Sequence, residues 1–150
     1  MTHSPSVLIL QGPNLDQLGQ REPDLYGRQT LAEIHALLET KAKELNLSVT
    51  CFQSNHEGEL LEAIHGAVET TRGLIINPAG LTHTSVVLRD ALAAYPHPKV
   101  EVHLSNIYQR EEFRHYSYVS AVVGGVISGL GAQGYCFALE AVASQLNKAE

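Results

Sequence analysis

The sequence has no tryptophan, one methionine and two cysteines, and its ten basic residues are outnumbered by sixteen acidic ones. Each scarcity excludes something. Cys51 and Cys136 lie far apart in apolar surroundings with no CxxC spacing, so a disulfide framework or a cysteine metal site is not expected. Two buried, reduced thiols are. A formal charge of −6 lacks the basic face that a general nucleic-acid binder needs to displace counterions. No apolar run approaches the roughly eighteen residues of a membrane span, and no basic-then-apolar leader opens the chain. The expectation is therefore a cytoplasmic protein with no membrane or nucleic-acid partner. On that reading the sequon Asn46-Leu47-Ser48 is accidental.

What is present is globular: 44% hydrophobic and 17% charged residues over 150 positions, enough for one domain with a sizeable core. Short β-rich runs occur at 7-VLIL-10, 47-LSVTCF-52, 74-LIIN-77, 99-KVEVHL-104 and roughly 121-AVVGGVIS-128. Helical patterns alternate with them. Thr30 and Glu33 make a capping box before Leu31, Ile34, Leu37 and Leu38. Asn55 can cap a second helix carrying Leu60, Leu61, Ile64 and Val68. Thr84 or Ser85 opens a third with Val87, Leu88 and Leu92, and residues 134–147 form a last, apolar one. Strand then helix, repeated, with strands apolar on both faces, reads as a parallel sheet covered on both sides. The predicted fold is α/β: one domain over 1–150, a flavodoxin-like three-layer sandwich around a five-stranded parallel sheet.

In such sheets ligands bind beyond the carboxyl ends of the strands. Four strand ends here carry asparagine: Asn14, Asn55, Asn77 and Asn106. His56, His83 and His103 lie within a few residues of three of them. One asparagine at a turn means little; polar groups converging from four strand ends predict a site. Other signals are weaker. The match of 129-GLGAQG-134 to a dinucleotide fingerprint leaves only sixteen residues after it, too few for the rest of that unit, and a tight strand-to-helix turn explains it better. Eight histidines raise the question of a metal, but none pairs at i, i+4 with a third ligand at a familiar spacing. No P-loop, nucleophile elbow or strand-end lysine is present.

The remaining feature is the stretch 12-GPNLDQLGQREPDLYG-27, long and punctuated by glycine and proline, where compact domains usually join elements in a few residues. With 53-QSNHEGEL-60, 77-NPAGLTHTSVVLRDAL-92, 101-EVHLSN-106, 110-REEFRH-115 and 129-GLGAQGY-135, it resembles the type II 3-dehydroquinate dehydratases over roughly residues 7 to 146. The resemblance implies dehydration of 3-dehydroquinate to 3-dehydroshikimate in the shikimate route, without metal or organic cofactor. It also implies a homo-oligomer, a dodecamer built from four trimers. Matched position by position, Tyr26 falls on the family's base, His103 on its general acid and Arg21 on the arginine of a lid over about 18–28. Asn77, His83, Leu104, Ser105 and Arg114 fall on substrate-binding positions. Asp90 falls on an aspartate that reaches a neighbouring subunit's site. The chain departs from many members at Asp16-Gln17 and in the variant turn 78-PAG-80.

The chemistry needs such residues. Removing a proton beside a ketone requires a base and support for an enolate. A phenol ordinarily titrates near 10, so bringing one to about 8 takes roughly 2.7 kcal/mol of preferential stabilisation of its anion. Arg21 and Arg110 are the cations available for that. Asn14 can serve the enolate oxygen, directly or through water. His103 can protonate the departing hydroxyl, oriented by Glu101 two residues back on the same strand face. Arg114 suits a carboxylate, which a guanidinium grips with two parallel hydrogen bonds. Residue by residue, plainer readings stay open. Taken alone, Tyr26 reads more readily as a loop aromatic, His103 equally as a core histidine, Arg110 and Arg114 as a surface ion-pair cluster with Glu111 and Glu112, and Asn14 and Asn77 as turn residues. A flavodoxin-like binding module is the competing class; against it, no phosphate-gripping glycine turn follows the first strand. Gly19 and Gly27 are the expected hinges of the lid.

Overall fold

The structure is a computed structural model describing residues 4–20 and 22–149. Strands β1 (Ser6–Gln11), β2 (Ser48–Gln53), β3 (Gly73–Asn77), β4 (Lys99–His103) and β5 (Gly125–Ser128) form one all-parallel sheet in the order β2-β1-β3-β4-β5. Helices α2 (Leu31–Glu44), α3 (Glu57–Ala67), α4 (Val86–Ala94) and α5 (Gln133–Ala149) cover it, and a single helical turn, α1 (Pro23–Tyr26), lies in the loop after β1. The fold is α/β and flavodoxin-like, as the alternation predicts.

Side chains alternate across a strand, and β1 uses that alternation to feed two cores. Val7 and Ile9 pack with Ile34 and Leu38 of α2 and Leu139 and Val142 of α5 on one face. Leu8 and Leu10 pack with Leu60 and Ile64 of α3 and Leu88 and Leu92 of α4 on the other. The chain runs from β1 out to the edge strand β2, then crosses back to β3. Neighbouring strands β1 and β3 therefore send their following loops in opposite directions, which opens a crevice at their carboxyl ends.

The capping box at Thr30 is present: its hydroxyl accepts from the Glu33 amide at 3.2 Å while Glu33 accepts from the Thr30 amide. Ser85 caps α4, accepting from the Leu88 amide at 3.0 Å. Three expectations need correction. Asn55 does not cap α3; Ser54 holds that end, accepting from the His56 amide and donating to Glu59, while Asn55 turns to Asn14. The last strand begins at Gly125, because Ser120–Val122 form a 3-10 turn whose Ser120 hydroxyl is drawn inward to Glu101. Strand β2, at the sheet's edge, is half-buried on one face and exposed on the other, where Phe52 lies. Cys51 on that strand is accordingly half-buried, with burial first and Glu39 second pushing its thiol up to about 11; Cys136 is buried.

Gly12 is required by contact. A Cβ there would stand 2.4 Å from the Pro78 carbonyl oxygen, because the Gly12 amide donates to the Asn77 carbonyl at 2.8 Å. The first loop is thereby fastened to the end of β3.

Candidate active site

A cavity of about 200 Å³ opens at the carboxyl ends of β1, β3 and β4. It sits where the chain reverses direction across the sheet, at the place the fold class dictates. Asn14 and Tyr26 line it from the first loop; Asn77 and His83 from the end of β3 and the turn after it. His103, Leu104 and Ser105 continue β4 into its wall, and Arg110 and Arg114 complete it. Glu101 lies fully buried behind His103, and Asp90 is exposed on α4 and is not part of the lining. Arg21, matched to the lid arginine by sequence, lies outside the described residues.

The loop after β1 is more structured than its glycines and prolines suggest. Leu15 and Leu18 are buried in the core, so residues 15–18 are anchored before the segment that carries Tyr26. Gly19 and Gly27, both at positive φ (89° and 88°), flank that segment in conformations that side chains rarely adopt. Asn14 itself is left-handed at φ 72°, held there by its amide donating to Asn55 Oδ1 at 2.8 Å. Gln53 Nε2 fixes Asn55 in turn and also bonds the Gly12 carbonyl, each at 3.2 Å.

Tyr26 packs beneath Arg110, whose guanidinium carbon is 5.2 Å from the ring centroid. A cation in this position attracts the electron-rich ring, and its attraction grows when the phenol loses its proton. Arg110 also reaches the Ser105 hydroxyl at 3.4 Å, and its carbonyl is met by His115 at 3.1 Å. Arg114 forms an ion pair with Glu111 at 3.0 Å and lies over the Phe113 ring. That pair is solvent-exposed and weak, so a carboxylate ligand competes with it readily.

Glu101 and His103 alternate with Val102 on β4 and so share one face of the strand. His103 Nε2 is 2.5 Å from Glu101 Oε2. The hydroxyls of Ser120, Thr82 and Ser117 stand 2.5, 2.6 and 3.0 Å from the same carboxylate. Thr82 and Ser117 are also 2.6 Å apart, so one of these two hydrogens runs between them and the other reaches Glu101. Burial pushes the Glu101 carboxyl upward, yet the His103 hydrogen bond and charge, with those of Ser120 and Thr82, outweigh it and hold the group below its ordinary range. An ionised carboxylate only accepts, so His103 Nε2 carries the hydrogen between them and Nδ1 is the nitrogen left for other chemistry.

His83 Nδ1 meets the Tyr116 carbonyl at 2.8 Å and therefore donates to it. Burial lowers its pKa; the Tyr116 bond opposes this, and His103 and Arg114 add to it. A neutral ring with Nδ1–H keeps Nε2 as an acceptor. Asn77, by contrast, already uses its oxygen: Oδ1 accepts from the Ala79 amide at 3.0 Å. Asn77 and His83 lie in the same cavity wall, the one with an Nδ2 hydrogen not used by Tyr135 and the other with its Nε2 not used by Tyr116.

Several supporting residues give no signal in the sequence. Thr82, Ser117 and Ser120 converge on Glu101 from segments up to 38 positions apart, and serine and threonine are too common at turns to mark themselves. Tyr135 holds Asn77 from beneath and is itself held by Gln11. Tyr135 closes the motif 129-GLGAQGY-135, which is the tight strand-to-helix turn expected: a Cβ on Gly129 would stand 2.9 Å from Asn106 Cβ, and the Gly131 amide donates to the Leu104 carbonyl at 3.0 Å. Among the described residues no group of three or more His, Cys, Asp or Glu side chains is placed to hold a metal ion, and no helix is long and apolar enough to cross a membrane.

Comparison with known proteins agrees with this geometry. A family model described as dehydroquinase class II matches residues 5–143. A protein of Gloeothece citriformis named 3-dehydroquinate dehydratase is 55% identical over 145 residues, covering 97% of this chain and 95% of that protein. One of Halothermothrix orenii with the same name is 51% identical over 95% of this chain and 96% of its own length. Among solved structures, the type II dehydroquinase from Propionibacterium acnes superposes with a TM-score of 0.91 at 43% identity, covering 96% of this chain and 99% of that one.

Proposed function

The chain belongs to the dehydroquinase class II family, and on that premise we propose that it dehydrates 3-dehydroquinate stepwise, through an enolate. Its activity is that of a type II 3-dehydroquinate dehydratase, a hydro-lyase. Tyr26 is the base that removes the proton beside the ketone. Arg110, over its ring, and Arg21 favour the phenolate electrostatically. Asn14, pinned in a left-handed turn by Asn55, serves the enolate oxygen. His103 then gives its proton to the hydroxyl leaving the next carbon, and Glu101 stabilises the charged imidazole before transfer and orients the ring. Arg114 receives the substrate carboxylate, exchanging Glu111 for it. Asn77, His83, the Leu104 backbone and Ser105 hold the ring hydroxyls. The segment over about 18–28 closes on Gly19 and Gly27 to shut out water.

The observation that carries this reading is the convergence of a cation-covered tyrosine and a carboxylate-backed histidine on one cavity. The plain test is ultraviolet absorbance: the conjugated enone product absorbs and 3-dehydroquinate does not. A rise on mixing supports the reading; no rise sinks it.

The same reading places the protein in the cytoplasm and in the shikimate route, and assembles it as four trimers with Asp90 reaching a neighbouring subunit's site. Supporting the assembly, Val86 and Val87 lie half-exposed at the start of the helix that bears Asp90, where a second copy would cover them.

A further inference from the structure

Beneath the cavity floor runs a chain of hydrogen bonds whose direction is fixed by its end. The Ala79 amide can only donate, so the Asn77 atom 3.0 Å from it is the oxygen. Asn77 Nδ2 then donates to the Tyr135 hydroxyl at 2.9 Å. Having accepted there, the phenol gives its own hydrogen to Gln11 Oε1 at 2.6 Å. Gln11 Nε2 is left facing His35 Nε2 at 3.5 Å. Gln11 Nε2 can only donate, so His35 Nε2 is the acceptor at the chain's far end, and burial lowers that ring's pKa with Glu39 partly opposing. Turning the Asn77 amide over would set N–H against N–H at Ala79 and take the phenol's hydrogen from Gln11. Gln11 and Tyr135 are fully buried, so neither group would find water instead.

We propose that Tyr135, backed by Gln11, is a positioning residue that locks the Asn77 carboxamide as a donor toward the substrate, so that the site requires an acceptor oxygen at that point. One Nδ2 hydrogen of Asn77 remains uncommitted, while the oxygen is turned toward the Ala79 amide. A ligand group that can only donate is thereby rejected at Asn77 and accepted at His83. The inference rests on the reading of Asn77 as a substrate-binding residue, and the test separates the two.

Steady-state kinetics with 3-dehydroquinate on Asn77→Ala, Tyr135→Phe and the double variant, below their melting temperatures, decide it. Tyr135→Phe keeps the ring and removes the hydroxyl; KM should rise about tenfold, the scale of one hydrogen bond, while kcat stays within about twofold. The double variant should be no worse than Asn77→Ala, because the phenol acts only through that amide. A purely structural role would lower the melting temperature and leave KM unmoved, or would multiply with Asn77→Ala; either result overturns the inference while leaving Asn77 in place. If Asn77→Ala itself leaves KM unchanged, the binding role of Asn77 fails and the inference falls with it. Should Tyr135→Phe not fold, Gln11→Leu, which removes the phenol's acceptor, takes its place in the same cycle with the same expected result.

Discussion

His103 Nε2 stands 2.5 Å from a Glu101 oxygen that no solvent reaches, and three hydroxyls from other segments complete that carboxylate's shell. The two residues lie two positions apart on β4 and share one face of the strand. Glu101 holds a charge where burial opposes one, and His103 delivers its effect to the cavity wall.

Replacing Glu101 by glutamine keeps the shape and removes the charge. On the proposed mechanism the expected result is a fall in kcat of about 10²-fold or more with little change in KM, because a neutral partner would no longer favour a proton-donating imidazolium at His103. Steady-state kinetics measure both. A KM effect alone would move Glu101 from proton delivery to substrate binding.

The same carboxylate sets an acid limit on stability. Its folded pKa is depressed, so the unfolded chain binds the proton more readily, and the stabilisation is complete above the ordinary value of 4.5 and drains as pH falls through the lower folded value. Urea unfolding across pH 3–6, about this value, should show stability falling on the acid side. In Glu101→Gln that slope should flatten, from a lower starting stability.

Arg110→Ala removes the guanidinium 5.2 Å from the Tyr26 ring and the donor to Ser105. We expect kcat/KM to fall by at least about tenfold. If Arg21 acts as proposed, Arg21→Ala loses more in kcat than in substrate affinity, since the charge it would meet arises only along the reaction path. Equal turnover in that variant would refute the role.

Much of this was legible in the sequence because local patterns carried it. Alternation of apolar runs and helical spacing placed every strand within a few residues, and Thr30 with Glu33 announced the start of α2. Of the polar residues at the four strand ends, Asn14, Asn77, His83 and His103 line one cavity, while Asn55, His56 and Asn106 do not. What was not legible depends on distant segments meeting. Ser117 and Ser120 reach Glu101 across a sheet edge, and the turn they shape shortens β5. Asn55 resembled a helix cap until β1 brought Asn14 to it. The edge position of β2, which exposes Phe52, depends on strand order, and no single strand records its neighbours.

Asn46 illustrates a local signal with two readings. In the sequon it resembles a glycan acceptor; in the structure it ends α2 at φ 59°, with the Leu47 amide returning to the Ala42 carbonyl at 2.8 Å. Asparagine tolerates that left-handed turn and alanine does not. Asn46→Ala should cost about 1 kcal/mol in urea unfolding, and Asn46→Gly should cost nothing. Equal losses would show that the side chain matters and not the backbone angle.

The division of labour between Tyr26 and His103 is tested most directly by proton exchange in heavy water. With His103→Asn the second step is blocked, so unconverted 3-dehydroquinate recovered from the enzyme should carry deuterium beside its ketone. With Tyr26→Phe it should carry none beyond the enzyme-free rate. Deuterium entering at an undiminished rate in Tyr26→Phe would contradict the account at its centre.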